Sequence, residues 1–185
     1  MLGHTFDGVG VFPSNRDAYH AVRAWARDRF SRTVLLVGPA GVGKSHLGHA
    51  AAAQLQSRGK LVRLASTDSF MGGYVTAART NALAAYRREW NEGSDVLVVE
   101  HVDDLAGKDR TTDEVVELVL ARYRRGSRSL LSATVTPTEK SMRRWLGRMA
   151  VRCGAHLVGI KTPRRGELAD FASGLSAMLA EDLRW

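Results

Sequence analysis

The chain has 185 residues, of which 44% are hydrophobic, and it carries a formal net charge of +8. This length and composition fit one folded domain and exclude a disordered chain. No stretch approaches the roughly 18 consecutive apolar residues of a membrane-spanning helix, so we expect no membrane partner. The one cysteine, Cys153, excludes an internal disulfide and fits a reducing cytoplasm.

Positive charge is concentrated in the second half of the chain. Between Arg122 and Arg165 there are twelve Lys or Arg residues and one acidic residue, Glu139. Such an excess favours a polyanionic partner such as nucleic acid. The alternative is that these side chains only cover solvated helix faces, because the chain as a whole is rich in arginine.

Apolar stretches and helical patterns alternate along the chain. A first helix is predicted to begin at Ser14 or Asn15, either of which can cap it, and to end near Phe30. Strands are predicted at residues 33–37, 61–65, 95–100, 129–133 and 155–160. Because helical patterns separate the strands, we expect an α/β fold with a parallel sheet and helices on both faces.

The helices between the later strands carry recognisable start and stop signals. The helical region 66–90 is predicted to be interrupted at Gly72-Gly73. A helix is predicted to start after Gly107-Lys108. A capping box, in which a Thr and a Glu three residues later satisfy each other's backbone N–H groups, is predicted at Thr111–Glu114 and again at Thr136–Glu139. In the second box, Pro137 is expected at the first helical position.

A last amphipathic helix is predicted after Pro163. Its apolar residues recur at close to the helical period: Leu168, Phe171, Leu175, Met178 and Leu183. We therefore divide the chain into an α/β core, residues 1–165, and a C-terminal helix, residues 166–185.

A glycine-rich segment follows the first predicted strand and precedes a helical pattern. Its form is G-x-x-x-x-G-K-S, and its residues are Gly38, Pro39, Ala40, Gly41, Val42, Gly43, Lys44 and Ser45. Glycines let successive backbone N–H groups point at anionic oxygens, and the following helix adds its positive N-terminal end. Lys44 can reach the β- and γ-phosphates, and the Ser45 hydroxyl can bind Mg²⁺. The segment predicts a site for ATP or ADP with Mg²⁺, the alternative being a chance glycine-rich turn.

The third predicted strand, DVLVVE, ends in Glu100 and is followed by His101. A phosphate-binding loop needs a carboxylate at the end of a neighbouring strand to hold Mg²⁺, and Glu100 is the candidate. Asp103 and Asp104 are near in sequence. Assigning them that role would put Glu100 and His101 inside the strand, so we leave them out of the site.

At these residues the chain resembles the AAA+ ATPases, and most closely the ATPase core of the DnaA family of bacterial replication initiators. The resemblance extends from Thr5 to about Pro163 and rests on TFDGVGVFPSNRDA, GPAGVGKSHL, STDSF, DVLVVEHVDDLAGKDRTTDE, LLSATVTP and RWLGRMAVR. The PSNR opening and the LAGKDRT run favour this family over the related helicase loaders. The resemblance implies a P-loop NTPase fold with a five-stranded parallel sheet in the order 5-1-4-3-2.

Several residue roles are implied by the resemblance alone. Val9, Val11, Ser14 and Asn15 match the part of the family that packs around the adenine. Arg152 matches the arginine finger that reaches the γ-phosphate bound by a neighbouring subunit. The helical region 70–90 matches the segment that lines single-stranded DNA, and its basic residues are Arg79, Arg87 and Arg88.

Three positions depart from the family pattern where hydrolysis is concerned. The family has two acids at the end of the third strand, and here the pair is Glu100 and His101. Glu100 can still hold a Mg²⁺-bound water, but an imidazole cannot replace a carboxylate unchanged, and His101 is alternatively a polar residue without a chemical role. The family's acid or amide after the fourth strand is Thr134. We therefore expect ATP to be bound and hydrolysed slowly or not at all.

The resemblance also shapes three hypotheses about function. The first is a DnaA-like ATP-binding core that acts in replication initiation or its control, through self-assembly or a DnaA-type partner. The second is a degenerate adaptor or DNA-binding module without nucleotide turnover. The third is a loader-type ATPase of a helicase or transposase. In the family a helical lid and a duplex-binding domain follow Pro163, and we expect neither to be complete here.

Overall fold

The computed structural model describes residues 5–169. Within them, five parallel strands form one sheet: β1 (Thr33–Gly38), β2 (Val62–Ser66), β3 (Val96–Glu100), β4 (Arg128–Thr134) and β5 (His156–Gly159). Their order across the sheet is β2-β3-β4-β1-β5. This is the expected order 5-1-4-3-2 read from the opposite edge, so the predicted P-loop NTPase fold is confirmed.

Helices connect the strands. They are α1 (Arg16–Ala26), α2 (Lys44–Gln56), α3 (Thr67–Arg79), α4 (Leu83–Glu92), α5 (Asp109–Arg124) and α6 (Lys140–Cys153). Two short 3-10 helices, Phe6–Gly8 and Val102–Leu105, precede α1 and follow β3. All the connections between neighbouring parallel strands therefore run through helices, as the alternating sequence pattern requires.

Successive residues of the central strands face opposite sides of the sheet and pack into two separate cores. Val34 and Leu36 pack against α1 and α2 on one face, while Leu35 packs against α5 and α6 on the other. Both faces of β1, β3 and β4 are thus covered, which explains why the sequences of β1 and β3 are nearly continuous apolar runs.

The predicted helix break at Gly72-Gly73 is wrong. Helix α3 continues through both glycines, and the chain turns later, at residues 80–82, where Asn81 has a φ of 56°. Only Gly73 is required by packing, because a β-carbon there would lie 2.7 Å from Cε2 of Tyr86, a residue of α4. The missing side chain lets the two helices approach.

The two predicted capping boxes have different outcomes. Helix α5 begins at Asp109, directly after Gly107-Lys108 as predicted, so Thr111 and Glu114 lie inside it and form no capping box. At the other predicted box the Glu139 carboxylate accepts a hydrogen bond from the Thr136 N–H at 2.5 Å, as expected. The helix itself begins only at Lys140, which leaves Pro137 in the preceding turn.

Helix α1 is shorter than predicted, and it ends at Ala26 rather than near Phe30. The chain leaves the helical conformation at Asp28, which has a φ of 61°. At the other end of the chain, residues 165–169 are helical. The remainder of the predicted C-terminal helix, with Phe171, Leu175, Met178 and Leu183, lies outside the described residues. Across residues 5–169, no helix has the length and apolar character needed to cross a membrane.

The segment formed by α3 and α4 is tied to the sheet at both ends. At its start the buried Thr67 hydroxyl donates a hydrogen bond to the backbone carbonyl of Glu100 at 3.0 Å. At its end the guanidinium of Arg122 is fully buried, and it donates to the backbone carbonyls of Trp90, Asn91 and Ser94. Burial lowers the pKa of Arg122 to about 10. The one basic residue of the 122–165 segment that is fully buried therefore has a structural role.

The neighbouring glycines of α3 provide a matched test of this packing. An alanine at Gly72 meets no atom within 4 Å, so Gly72→Ala should stabilise the protein by about 0.5–1 kcal/mol through helix propensity. An alanine at Gly73 collides with the Tyr86 ring, whose hydroxyl is held by the Phe70 carbonyl at 2.6 Å. Gly73→Ala should therefore destabilise it by roughly 1–3 kcal/mol. Urea unfolding of both variants measures the two shifts, and equal effects would contradict the packing account.

Candidate nucleotide-binding site

The glycine-rich loop between β1 and α2 has a backbone that only glycine adopts readily. Gly41 and Gly43 have φ values of 75° and 96°, in the left-handed region. Gly38 is constrained differently, because a β-carbon there would lie 2.5 Å from the backbone oxygen of Ile160. The G-x-x-x-x-G spacing predicted from sequence thus matches three backbone requirements of the fold.

Lys44 begins α2, and its side chain folds back over the loop. Its ammonium donates to the backbone carbonyls of Gly38 at 2.9 Å and Pro39 at 2.7 Å. Burial lowers the pKa of Lys44, and the negative charge of Asp103 partly opposes that shift. The cation is therefore held among the loop carbonyls at the carboxyl edge of the sheet, where a phosphate would meet it.

The other residues of the loop differ in burial: one is packed into the core and two are exposed to solvent. Val42 packs against the core beneath α1 and α2, together with Val9 from the N-terminal segment. Ala40 and Ser45 are exposed. The Ser45 hydroxyl lies directly after the lysine, at the N-terminal end of α2, where it can contact a cation bound to phosphate.

Glu100 ends β3 as predicted, and its carboxylate is only partly satisfied. Within residues 5–169, its buried Oε1 atom has no hydrogen-bond partner. Its Oε2 atom lies 3.7 Å from Nε2 of His49, a residue of α2. A buried, unsatisfied carboxylate oxygen at this edge fits a hard cation such as Mg²⁺. The sequence analysis did not identify His49 as a neighbour of this group.

His101 does not continue the strand. Its φ of 62° places it in the left-handed region, and its side chain is exposed. The following 3-10 helix turns the chain back across the sheet edge, so that Oδ1 of Asp103 accepts a hydrogen bond from the Thr134 N–H at 2.9 Å. The predicted end of β3 at Glu100 is confirmed. Asp103, which the sequence analysis leaves out of the site, lies at the same edge of the sheet as the phosphate loop.

The N-terminal segment is organised by Asn15. The Asn15 side chain is buried, accepts from the Phe12 N–H at 2.7 Å and donates to the Gly10 carbonyl at 2.8 Å. Asn15 therefore folds the loop before α1 and does not cap that helix with its side chain. Ser14 accepts at its backbone carbonyl from the Lys161 N–H, and Val11 is 42% exposed. The assignment of these residues to the adenine stays a prediction.

The remaining candidates lie on helices around the site. Arg152 is exposed at the end of α6 and forms an ion pair with Asp113 of α5 at 2.6 Å, which raises its pKa. In the α3–α4 segment, Arg79 and Arg88 are exposed. Arg87 instead pairs with Glu114, which raises the pKa of Arg87. One of the three predicted DNA-contacting arginines is therefore already bound to a carboxylate.

A cleft of about 920 Å³ adjoins the phosphate loop on the side of β5 and α6. Gly38 and Pro39 form one wall. The charged residues that line it are all basic, namely Lys140, Arg143, Arg144 and Lys161. Each of these four side chains is exposed, and none forms an ion pair within the part of the chain that the structure describes. Four basic residues of the 122–165 segment thus lie together beside the phosphate loop.

Comparison with known proteins agrees with this geometry. Residues 2–157 match the family described as the bacterial DnaA ATPase domain. The chromosomal replication initiator protein DnaA of Desulfotalea psychrophila is 32% identical over 145 residues, which is 74% of this chain and 29% of that protein. The chain therefore spans less than a third of that relative.

Solved structures with a similar fold include DnaA and a helicase loader. A structure of the replication initiator DnaA bound to AMPPCP and single-stranded DNA is similar at a TM-score of 0.75 and 25% identity, covering 88% of this chain and 51% of that one. The DnaC helicase loader has a similar fold, at a TM-score of 0.62 and 17% identity, covering 86% and 98%. Because the family match covers residues 2–157 of the 185 residues, this chain belongs to the family of bacterial DnaA ATPase domains.

Proposed function

We propose that this chain is an ATP-binding AAA+ core that acts in the initiation of DNA replication or in its control, and that it hydrolyses ATP slowly. The observation that carries the proposal is the buried Lys44 ammonium, which contacts two loop carbonyls within a glycine-specific backbone. A related DnaA structure contains AMPPCP, which supports ATP or ADP as the ligand. A cytoplasmic location is part of the same proposal.

Mg²⁺ is the cation that fits this site, and Ser45 and Glu100 are the residues that would hold it. When bound, it would neutralise charge on the terminal phosphates. We expect slow turnover for two reasons. The side chain of His101 is exposed and its backbone lies in the left-handed region, and Thr134 carries no carboxylate. The family resemblance implies an acid at the position of His101 and an acid or amide at that of Thr134.

The alternatives remain distinct from this proposal. A degenerate adaptor would keep the fold without turning over nucleotide. A loader-type ATPase of a helicase or transposase is favoured by the fold shared with the DnaC loader. The partner separates it from the first proposal, which expects a second copy of this chain or a DnaA-type protein.

Single-stranded DNA is the proposed polyanionic partner. A related DnaA structure contains single-stranded DNA, and the basic cleft beside the phosphate loop supplies four cations without an acidic neighbour on its lining. Arg79 and Arg88 offer a second basic surface on the α3–α4 segment, where they are exposed. The cleft is the stronger candidate because Arg87, between them, is neutralised by Glu114.

The first test concerns nucleotide binding. Lys44→Ala removes a charge-assisted phosphate contact, so the affinity for a fluorescent ATP analogue with excess Mg²⁺ should fall by roughly 1.5–3 kcal/mol. Lys60→Ala, which changes an exposed lysine in the turn after α2, is the matched control and should bind as the wild type does. Absence of binding to the wild type in calorimetry would contradict the proposal.

The second test concerns DNA. Phosphate contacts on single strands lower log K by about 0.7 per contact for each decade of salt. Replacing Arg143 and Arg144 together by alanine should therefore reduce the slope by about 1.4 and weaken binding at low salt. Arg125→Ala is the control, because Arg125 belongs to the same basic segment but lies 3.6 Å from a Glu92 carboxylate oxygen. Fluorescence anisotropy with a labelled oligonucleotide measures both quantities.

Two results of the DNA experiment would oppose the cleft. Binding that is absent at low salt, or insensitive to salt, would mean that the arginines only cover a solvated surface. Binding that is lost in an Arg79→Ala/Arg88→Ala variant but kept in the Arg143/Arg144 variant would move the contact to the α3–α4 segment.

The third test concerns assembly. If Arg152 acts on nucleotide bound by a neighbouring subunit, a Lys44→Ala chain mixed with an Arg152→Ala chain should recover turnover that neither has alone, since an arginine finger contributes roughly 10³–10⁵ in rate. Asp113→Ala removes the partner of Arg152 within the chain and should leave turnover unchanged. Equal losses in the Arg152 and Asp113 variants would instead indicate a structural ion pair.

A further inference from the structure

The carboxylate of Asp103 lies at the phosphate loop, although neither the sequence pattern nor the family resemblance assigns it a role. It belongs to the 3-10 helix that follows β3, and its Oδ1 atom accepts from the Thr134 N–H at 2.9 Å. Within residues 5–169, its Oδ2 atom accepts no hydrogen bond from a side chain or backbone donor. One oxygen is therefore fixed and the other is free to accept.

Asp103 is connected to Lys44 through the strand pairing. Thr134, to which Asp103 is bound, is paired with Gly38 in the register of β4 and β1. The Gly38 carbonyl in turn accepts from the Lys44 ammonium and from the Val135 N–H. The charge of Asp103 raises the pKa of Lys44 against the effect of burial, which places the carboxylate within electrostatic reach of the ammonium.

The turn that carries Asp103 is held firmly. Val102 and Leu105, on either side, are fully buried in the core beneath α5 and α6. The Leu105 carbonyl also accepts from the Thr112 hydroxyl at 3.1 Å. Asp104, the next acidic residue, is exposed and makes no side-chain hydrogen bond in the described part of the chain. The Asp103 carboxylate is thus held by a hydrogen bond to β4, whereas the adjacent Asp104 carboxylate faces solvent.

We propose that Asp103 orients and deprotonates the water that attacks the terminal phosphate of ATP at this site, the role that the family resemblance implies for an acid at the position of His101. The proposal rests on the nucleotide binding proposed above. A new bond forms between the water oxygen and the γ-phosphorus, the bond from that phosphorus to the bridging oxygen breaks, and ADP leaves with that oxygen. The water proton goes to Oδ2 of Asp103, while Oδ1 stays bound to Thr134.

The position of Asp103 also has a consequence for the relative affinities for ATP and ADP. A carboxylate near the terminal phosphate repels its negative charge, so Asp103 should weaken ATP binding relative to ADP. Loss of the charge is therefore expected to slow turnover and to strengthen ATP binding at the same time. A residue that only supports the fold would lower both or leave both unchanged.

Asp103→Asn and Asp104→Asn are the matched variants. The asparagine amide oxygen can still accept from the Thr134 N–H, so the turn should keep its shape. For Asp103→Asn we expect the single-turnover rate of ATP hydrolysis to fall by roughly 10²-fold or more, with the ratio of ATP to ADP affinity increased. Asp104→Asn should match the wild type in both measurements.

Each outcome has a defined meaning. A wild type that binds no ATP overturns this proposal and the proposed function together. A wild type that binds ATP but hydrolyses none above the buffer rate, or an Asp103→Asn variant with unchanged turnover, overturns only the role of Asp103. Should Asp103→Asn fail to fold in a thermal melt, Asp103→Glu takes its place. That variant keeps the charge one methylene further out and is expected to turn over between the wild-type and buffer rates, and a rate equal to either would overturn the proposal.

Discussion

The nucleotide site depends on the close packing around Gly38, the last residue of β1. Its carbonyl accepts hydrogen bonds from the Lys44 ammonium and from the Val135 N–H, while its α-carbon lies against the Ile160 backbone. The carboxyl ends of β1, β4 and β5 and the start of α2 therefore meet at Gly38, which has no side chain. Any larger residue there would separate β5 from β1 and displace the cation, so the fold and the phosphate contact share one steric requirement.

Much of this arrangement could be predicted from sequence because the signals are local. The G-x-x-x-x-G-K-S spacing determines the loop, and the apolar run ending in Glu100 determines the end of β3. The order of the strands could not be derived from spacing and came from the family resemblance. The register then brought Thr134 next to Gly38, a contact between residues that are distant along the chain.

The errors have a common physical origin in contacts between elements. Gly73 looked like a helix breaker, but its role depends on the Tyr86 ring of the neighbouring helix. Glu114 looked like a capping residue, but it binds Arg87 across the α4–α5 contact. The contact between Asp103 and Thr134 was not predicted either, because it depends on His101, whose left-handed backbone turns the chain toward β4. None of these partners lies within the sequence window that a local pattern covers.

The hydrogen bond between Thr67 and Glu100 couples the α3–α4 segment to the candidate nucleotide site. Thr67 is the first residue of α3, and its hydroxyl donates to the main-chain oxygen of Glu100, the residue whose carboxylate we propose to hold Mg²⁺. At the far end, Arg122 prevents the α3–α4 segment from pivoting away from the sheet. A displacement of that segment would therefore be transmitted to the end of β3 by two routes, the Thr67 hydroxyl and the adjacent Ser66 of β2, which is paired with Glu100.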